Sequence, residues 1–249
     1  MKENRNSRGQ IRLDVLLSEQ GEINSRSQAE NYIKLGYVTA NGKVVRKPGQ
    51  KISKNSVVKI TAPIRLVSRA GFKLFSVKDE LGLNFAGKVV LDVGSSTGGF
   101  SDLALQHGAG KVIAVDVGRQ QMDSQLKTNT KIELHEQTDI RSVKKLGSSP
   151  DIVLIDVSFI SIREVLDHLP AIIDENCEIV AMVKPQFETG GVAAKHSGVI
   201  KNKTLRREIL KKFERYAKRR YKIIKKADSK ITGEKGNLER FYLLKLLGK

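Results

Sequence analysis

The sequence has one cysteine, Cys177, and no tryptophan among its 249 residues. A single thiol excludes an intrachain disulfide, which fits a reducing cytoplasm. Histidines are also sparse. His107, His135, His168 and His196 stand far apart with no zinc-ligand spacing, so no metal is expected. No apolar run approaches the roughly 20 residues that cross a bilayer. Met1-Lys2-Glu3-Asn4-Arg5 carries charge without an apolar segment behind it, which argues against a secretory signal. Stable membrane association is not expected.

Acid is scarce as well: 45 Lys/Arg stand against 27 Asp/Glu, a net charge of +18. The excess is uneven. Residues 1–63 carry 12 Lys/Arg and 5 Asp/Glu, residues 64–200 carry 15 and 17, and residues 201–249 carry 18 and 5. Positive charge clustered at both ends suits a protein that displaces counterions from a phosphate backbone.

Residues 1–10 are polar and read as a flexible N-terminus. A short helix, Arg12 to Glu19, places Leu13, Leu16 and Leu17 on one face. Ser25 with Gln28 reads as a capping box for a second helix carrying Ala29, Tyr32, Ile33 and Leu35, which Gly36 ends. Tyr37–Ala40 and Lys43–Val45 flank Asn41-Gly42, a two-residue hairpin signal, and Val57–Ile60 adds a strand. Pro63 marks a linker over 61–67. Ser68 then reads as the cap of a helix from Arg69 to about Glu80.

From there strands and helices alternate. Val89–Val93, Val112–Asp116, Ile132–Leu134, Ile152–Asp156 and Ile179–Val183 are short apolar runs suited to buried parallel strands, with helices such as Gly99–His107 and Ile162–Ile173 between them. Tyr221–Ala227 and Arg240–Leu246 read as an antiparallel hairpin at the sheet end. The Gly-rich stretch Glu188–Val199 reads as a mobile loop.

The segment Asp92-Val93-Gly94-Ser95-Ser96-Thr97-Gly98-Gly99-Phe100 leaves a strand and opens a helix. Gly94 permits a sharp turn, and Gly98 and Gly99 permit close approach of a ligand to the backbone. Asp116, ending the next strand, is placed to accept ribose hydroxyls. Either a dinucleotide or S-adenosylmethionine fits this arrangement. The loop lacks G-x-G-x-x-G, and a carboxylate before the turn suits a cofactor with an ammonium and a sulfonium better than two phosphates. Asp156 and Lys184 close the fourth and fifth strands, on the side where open α/β sheets bind ligands. A buried salt bridge without function is the alternative for that pair.

The N-terminal pattern resembles the S4 RNA-binding domain through Arg12-Leu13-Asp14, Ser25-Arg26 with Ala29 and Ile33, Gly36-Tyr37-Val38 and Asn41-Gly42. The rest resembles FtsJ-like (RrmJ-like) 2′-O-ribose methyltransferases. The whole looks like the TlyA (hemolysin A-like) family, which methylates cytidine ribose in ribosomal RNA. The matching stretches are Ser68–Leu74, Asp92–Phe100, Asp156–Ser161, Val183–Glu188 and Gly233–Glu239.

The resemblance implies a Rossmann-like class I methyltransferase fold over 68–249, an α/β domain whose mostly parallel sheet has an antiparallel end strand. A small α+β S4-like domain over 11–60 precedes it. S-adenosylmethionine is the implied cofactor, held by Asp92 through Phe100, Asp116, Val117, Asp139, Ile140 and Asp156, with Asp139 facing the adenine. A catalytic Lys-Asp-Lys-Glu tetrad falls on Lys73, Asp156, Lys184 and Glu239, with Glu234 as the alternative for the fourth place. Lys184, aided by burial and by Lys73 and oriented by Asp156, is expected to take the proton of a ribose 2′-hydroxyl, with Glu239 holding Lys73 or the ribose.

Arg12, Arg26, Lys34 and Arg69 are implied RNA contacts, with Lys43 and Arg46 weaker. Arg206 and Arg207 join them at the head of a basic helix over Thr204–Arg220. Ribosomal RNA or ribosomal subunits are the expected partners. The rival readings are a non-catalytic RNA-binding factor, a membrane-active hemolysin, and a nicotinamide enzyme. Affinity for RNA is expected to fall steeply as salt rises from roughly 50 to 200 mM. A flat dependence in a filter-retention titration argues against the basic track.

Overall fold

The computed structural model describes residues 9–21, 23, 26–189, 198–233 and 235–248. The N-terminal module is made of short elements: β1 (Gln10–Arg12), α1 (Leu13–Glu19), α2 (Arg26–Leu35), β2 (Val38–Ala40), β3 (Lys43–Val44), β4 (Lys51–Ser53) and β5 (Val58–Ile60). Leu13, Leu16 and Leu17 of α1 are buried, as are Ala29, Tyr32 and Ile33 of α2. Asn41 and Gly42 both take left-handed backbone, φ 51° and 77°, as a tight two-residue hairpin turn requires. The three-stranded sheet runs β3-β2-β5.

A second ribbon departs from the sequence reading. Gln10, assigned there to the flexible terminus, pairs with Ser53, and β1 runs antiparallel to β4. Three-residue strands with charged neighbours carry too little periodicity to be seen in advance. Residues 1–8 and Ser25, the proposed cap, lie outside the described residues, as do residues 190–197 of the expected mobile loop.

The larger module contains α3 (Arg69–Leu81), β6 (Val89–Val93), α4 (Gly99–Gln106), β7 (Lys111–Val115), α5 (Ser124–Lys127), β8 (Ile132–His135), β9 (Ile152–Ile155), α6 (Ile162–His168), β10 (Glu178–Val183), α7 (Lys203–Ala217), β11 (Tyr221–Asp228) and β12 (Arg240–Leu246). The seven strands are ordered β11-β12-β10-β9-β6-β7-β8. The inner strands are parallel, and β12 and β11 close one edge antiparallel, as the sequence suggests.

Strand residues alternate between two cores. Val90, Val112 and Leu154 face α3 and α4, while Leu91, Ile113 and Val153 face α6 and α7. The expected helix over Ile162–Ile173 stops at His168 and continues as a 3₁₀ turn, Leu169–Ala171. Pro170 has no N–H to give to Leu166, whose carbonyl accepts the Tyr221 hydroxyl instead.

The stretch over 61–67 is packed between the modules. Ile64 and Leu66 are buried. The Ile64 carbonyl accepts from Tyr32 Oη (3.3 Å), and Val67 N–H donates to Asp102 (2.9 Å). Tyr32 of α2 meets Phe72 of α3 edge to face, with ring centroids 5.0 Å apart. Phe72→Ala removes that contact and opens a cavity. It should lower unfolding stability by about 3–5 kcal/mol in a urea titration; a loss under about 1 kcal/mol contradicts this packing.

Candidate active site

The chain leaves β6 toward β7 and β8 on one side, and later reaches β9 and β10 on the other. β6 and β9 are adjacent, with Val93 paired to Ile155, so the order reverses between them. Open α/β sheets bind ligands in the crevice at the carboxyl ends of such strands. Asp92, Asp116, Asp139, Asp156 and Lys184 all lie at this edge. β12 is antiparallel to β10 with Arg240 opposite Val183, which sets Glu239 beside Lys184.

A cavity of about 350 Å³ opens there, lined among others by Gly94, Ser96, Val117, Ile140 and Asp156. Gly94 has φ 80°, and a Cβ on it would stand 2.5 Å from the Asp156 carbonyl oxygen, so only glycine fits the turn. Gly98 and Gly99 also have a packing role. Added Cβ atoms there would strike Leu126 and Ser68, so these glycines permit close packing of protein on protein. Phe100 is also a core residue, against Phe241 at 6.1 Å, and Thr97 lines a separate groove between the modules.

Asp92 is 1% exposed. Its Oδ2 accepts from the Ser101 N–H (2.9 Å) and hydroxyl (2.6 Å), tying the strand to α4. Its Oδ1 and the Ser95 hydroxyl are buried without a hydrogen-bond partner. Burial pushes the Asp92 carboxyl up to about 7; the Ser101 hydrogen bonds oppose the rise, and the charges of Asp156 and Asp116 add to it. Orphaned buried polar atoms of this kind fit a ligand that supplies donors. Asp116 accepts from the Ser96 N–H (2.8 Å) and the Gly118 N–H (2.6 Å). Each of its oxygens keeps a second lone pair for a hydroxyl. Asp139 is paired with Arg141 at 2.6 Å, whose guanidinium holds its carboxyl below the usual range. Val117 is 71% exposed at the rim, an apolar face beside this acidic wall.

The four residues of the expected tetrad form two ion pairs. Lys73 of α3 meets Glu239 at 2.6 Å, and Lys184 meets Asp156 at 2.6 Å. Lys184 also donates to the Ser158 hydroxyl at 2.6 Å. Lys73 is thus neutralised by Glu239 and does not face Lys184 as an uncompensated cation. Glu234, the alternative fourth member, lies outside the described residues.

Two features were missed from sequence. Phe159 is 89% exposed with φ 70°, and it leans on Phe187 at 5.5 Å. A bulky residue held at positive φ is costly without a purpose. Glu188, 7% exposed, accepts from the Ser161 hydroxyl and the Ile162 N–H, both at 2.8 Å. It clamps the segment after β10 to the start of α6, so the loops bearing Ser158 and Lys184 are held together. A helix N-terminus that needs an acceptor, met by a Glu one 3₁₀ turn past a strand, was the available signal.

The RNA-contact candidates divide. Arg206 donates to the Leu238 carbonyl (3.0 Å) and pairs with Asp228, with only 16% of its side chain exposed. It is a structural tie, which corrects the sequence reading; Arg207 next to it is exposed. Arg69 donates to the Thr232 carbonyl (3.1 Å), and Lys34 pairs with Glu30 at 3.4 Å. Arg12 and Arg26 remain half exposed and share Asp14. Among the described residues no helix is long and apolar enough to cross a membrane.

Residues 66–246 match the FtsJ-like methyltransferase family, and residues 11–58 match the S4 domain. Hemolysin A of Brachyspira hyodysenteriae is 35% identical over 92% of this chain and 97% of its own length. The 16S/23S rRNA (cytidine-2′-O)-methyltransferase TlyA of Mycobacterium tuberculosis is 32% identical over 94% of this chain and 89% of its own. A Streptococcus thermophilus structure described by a hemolysin name is 32% identical, covers 98% of this chain and 90% of that one, and superposes with a TM-score of 0.71. With an S4 domain in front of a matched catalytic domain, the chain belongs to the FtsJ-like methyltransferases, in their TlyA (hemolysin A-like) branch.

Proposed function

We propose that the chain binds S-adenosylmethionine in the crevice between β6 and β9 and methylates the ribose 2′-hydroxyl of cytidine in ribosomal RNA, working in the cytoplasm. The observation that carries this reading is the Lys184–Asp156 pair, seated at the mouth of an acidic cavity. The relatives' recorded substrate supports the acceptor. Bound S-adenosylmethionine supplies a methyl group on a sulfonium, an electrophile open to in-line attack by oxygen.

Among the described residues neither Asp92 nor Asp116 has a cation paired to it, so the wall favours a positively charged ligand. Asp92 Oδ1 and Ser95 receive its ammonium end. Asp116 accepts ribose hydroxyls, and Val117 and Ile140 flank the adenine with Asp139. Lys184, oriented by Asp156 and Ser158, holds the 2′-oxygen in line, and the hydroxyl proton passes to the Lys184–Asp156 pair as the oxygen attacks. Glu239 fixes Lys73 at the back of the acceptor slot. Phe159 offers its exposed ring to the face of the cytosine, since RNA bases that leave their stack are met by aromatic side chains.

Lys184→Ala should lower the transfer rate by about 10²–10⁴-fold while calorimetry finds S-adenosylmethionine bound as before. Near-normal turnover contradicts the role. Ionised Asp92 is the form that attracts the cation, so affinity for S-adenosylmethionine should rise with pH through about 7. The gain is about tenfold between roughly pH 6 and 8, following the ionised fraction. Asp92→Asn should flatten the profile, and an unchanged profile removes Asp92 from the site.

A further inference from the structure

The Asp14 side chain is fully buried, 0% exposed, in the first turn of α1. Its Oδ1 accepts from Arg12 Nε (2.9 Å) and the Val15 N–H (3.0 Å), and its Oδ2 accepts from Arg12 Nη2 (2.7 Å) and Arg26 Nε (2.9 Å). Burial works against the charged carboxyl, but the two guanidiniums hold it below the usual carboxylate range. One arginine would neutralise this carboxylate. The second leaves an excess positive charge, and both guanidiniums reach the surface, 45% and 53% exposed.

Arg12 is constrained further. The turn at 48–50 is bonded to the start of α1, Leu13 N–H to the Gln50 carbonyl (3.0 Å) and Asp14 N–H to the Pro48 carbonyl (3.1 Å). The Arg12 guanidinium lies across Gly49, where a Cβ would stand 2.9 Å from Nη1. Free arginines on a surface lose rotamer freedom when they bind, whereas these two have already lost it.

We infer that Asp14 is a positioning residue that holds Arg12 and Arg26 as a fixed two-guanidinium fork for the phosphate backbone of the RNA substrate. The inference rests on the RNA reading given under Proposed function. Among the described residues Arg12 spends Nε and Nη2 on Asp14 and Arg26 spends Nε, which leaves the outer Nη donors for phosphate oxygens in the geometry that guanidinium suits.

The sign of one substitution separates this from general electrostatics. Asp14→Asn adds a net positive charge, so charge alone predicts tighter RNA binding; loss of the fork predicts weaker binding. Gly49→Ala displaces the Arg12 guanidinium without changing charge. Gly49 is exposed and outside the left-handed region, so only the far end of Arg12 must yield. Full-length wild type, D14N and G49A are compared by co-sedimentation with separated ribosomal subunits and by tritiated methyl transfer to them. Both variants should bind subunits about tenfold more weakly, with KM for subunits raised to match and kcat at saturation unchanged. D14N that binds as tightly as wild type or tighter overturns the inference, as does G49A with unaltered affinity. If D14N melts early, G49A decides. Wild type that binds subunits without methylating them refutes the methyltransferase reading, and co-sedimentation still decides the fork.

Discussion

Charges at the end of buried strands must be neutralised where they stand, and the active edge of this protein is arranged around that requirement. Bringing an unmatched ammonium or carboxylate out of water costs several kcal/mol, even after relaxation. Lys184 and Asp156 meet this condition because β10 and β9 are adjacent and parallel. Lys73 and Glu239 meet it because β12 enters the sheet antiparallel to β10. The end hairpin is therefore part of the candidate site. Without it Glu239 would not reach the carboxyl edge, and Lys73 would be an unmatched charge.

The same edge shows what is left unmatched. Asp92 is buried with one oxygen satisfied by Ser101 and the other orphaned, and burial pushes its carboxyl up to about 7. A group so placed gains most from a cation that arrives from outside. The two modules converge on one helix, α3, next to this wall. In α3, Phe72 packs against Tyr32 of the N-terminal module, and the next residue, Lys73, is paired to Glu239. Gly71 approaches Gly99 at the head of α4, where a Cβ would lie 2.6 Å from the Gly99 carbonyl. The S4 module, Lys73 at the sheet's carboxyl edge and the head of α4 thus meet on a single helix.

Much of this was legible in the residues. Apolar runs carrying Asp92, Asp156 and Lys184 at or near their ends marked the strands and their carboxyl edge, and the terminal hairpin followed from its two separated β-prone runs. Strand order was not legible, so the choice between Glu239 holding Lys73 and Glu239 holding the ribose needed the register of β12 against β10, which brings it to Lys73. The packing role of Gly98 and Gly99 was hidden because a glycine needed for helix packing looks the same in sequence as one needed for a ligand. Arg206 misled because a basic helix face does not reveal which of its charges has a buried partner; Asp228 lies 22 residues away. Phe159 gave no signal, since its meaning lies in a positive φ and an exposed ring.

The most direct test of the account is to incubate the purified chain with separated ribosomal subunits and tritiated S-adenosylmethionine, digest the RNA to nucleosides and identify the labelled product. The account predicts label in 2′-O-methylcytidine. Label on a base, or no label from a folded protein that binds the subunits, would contradict it.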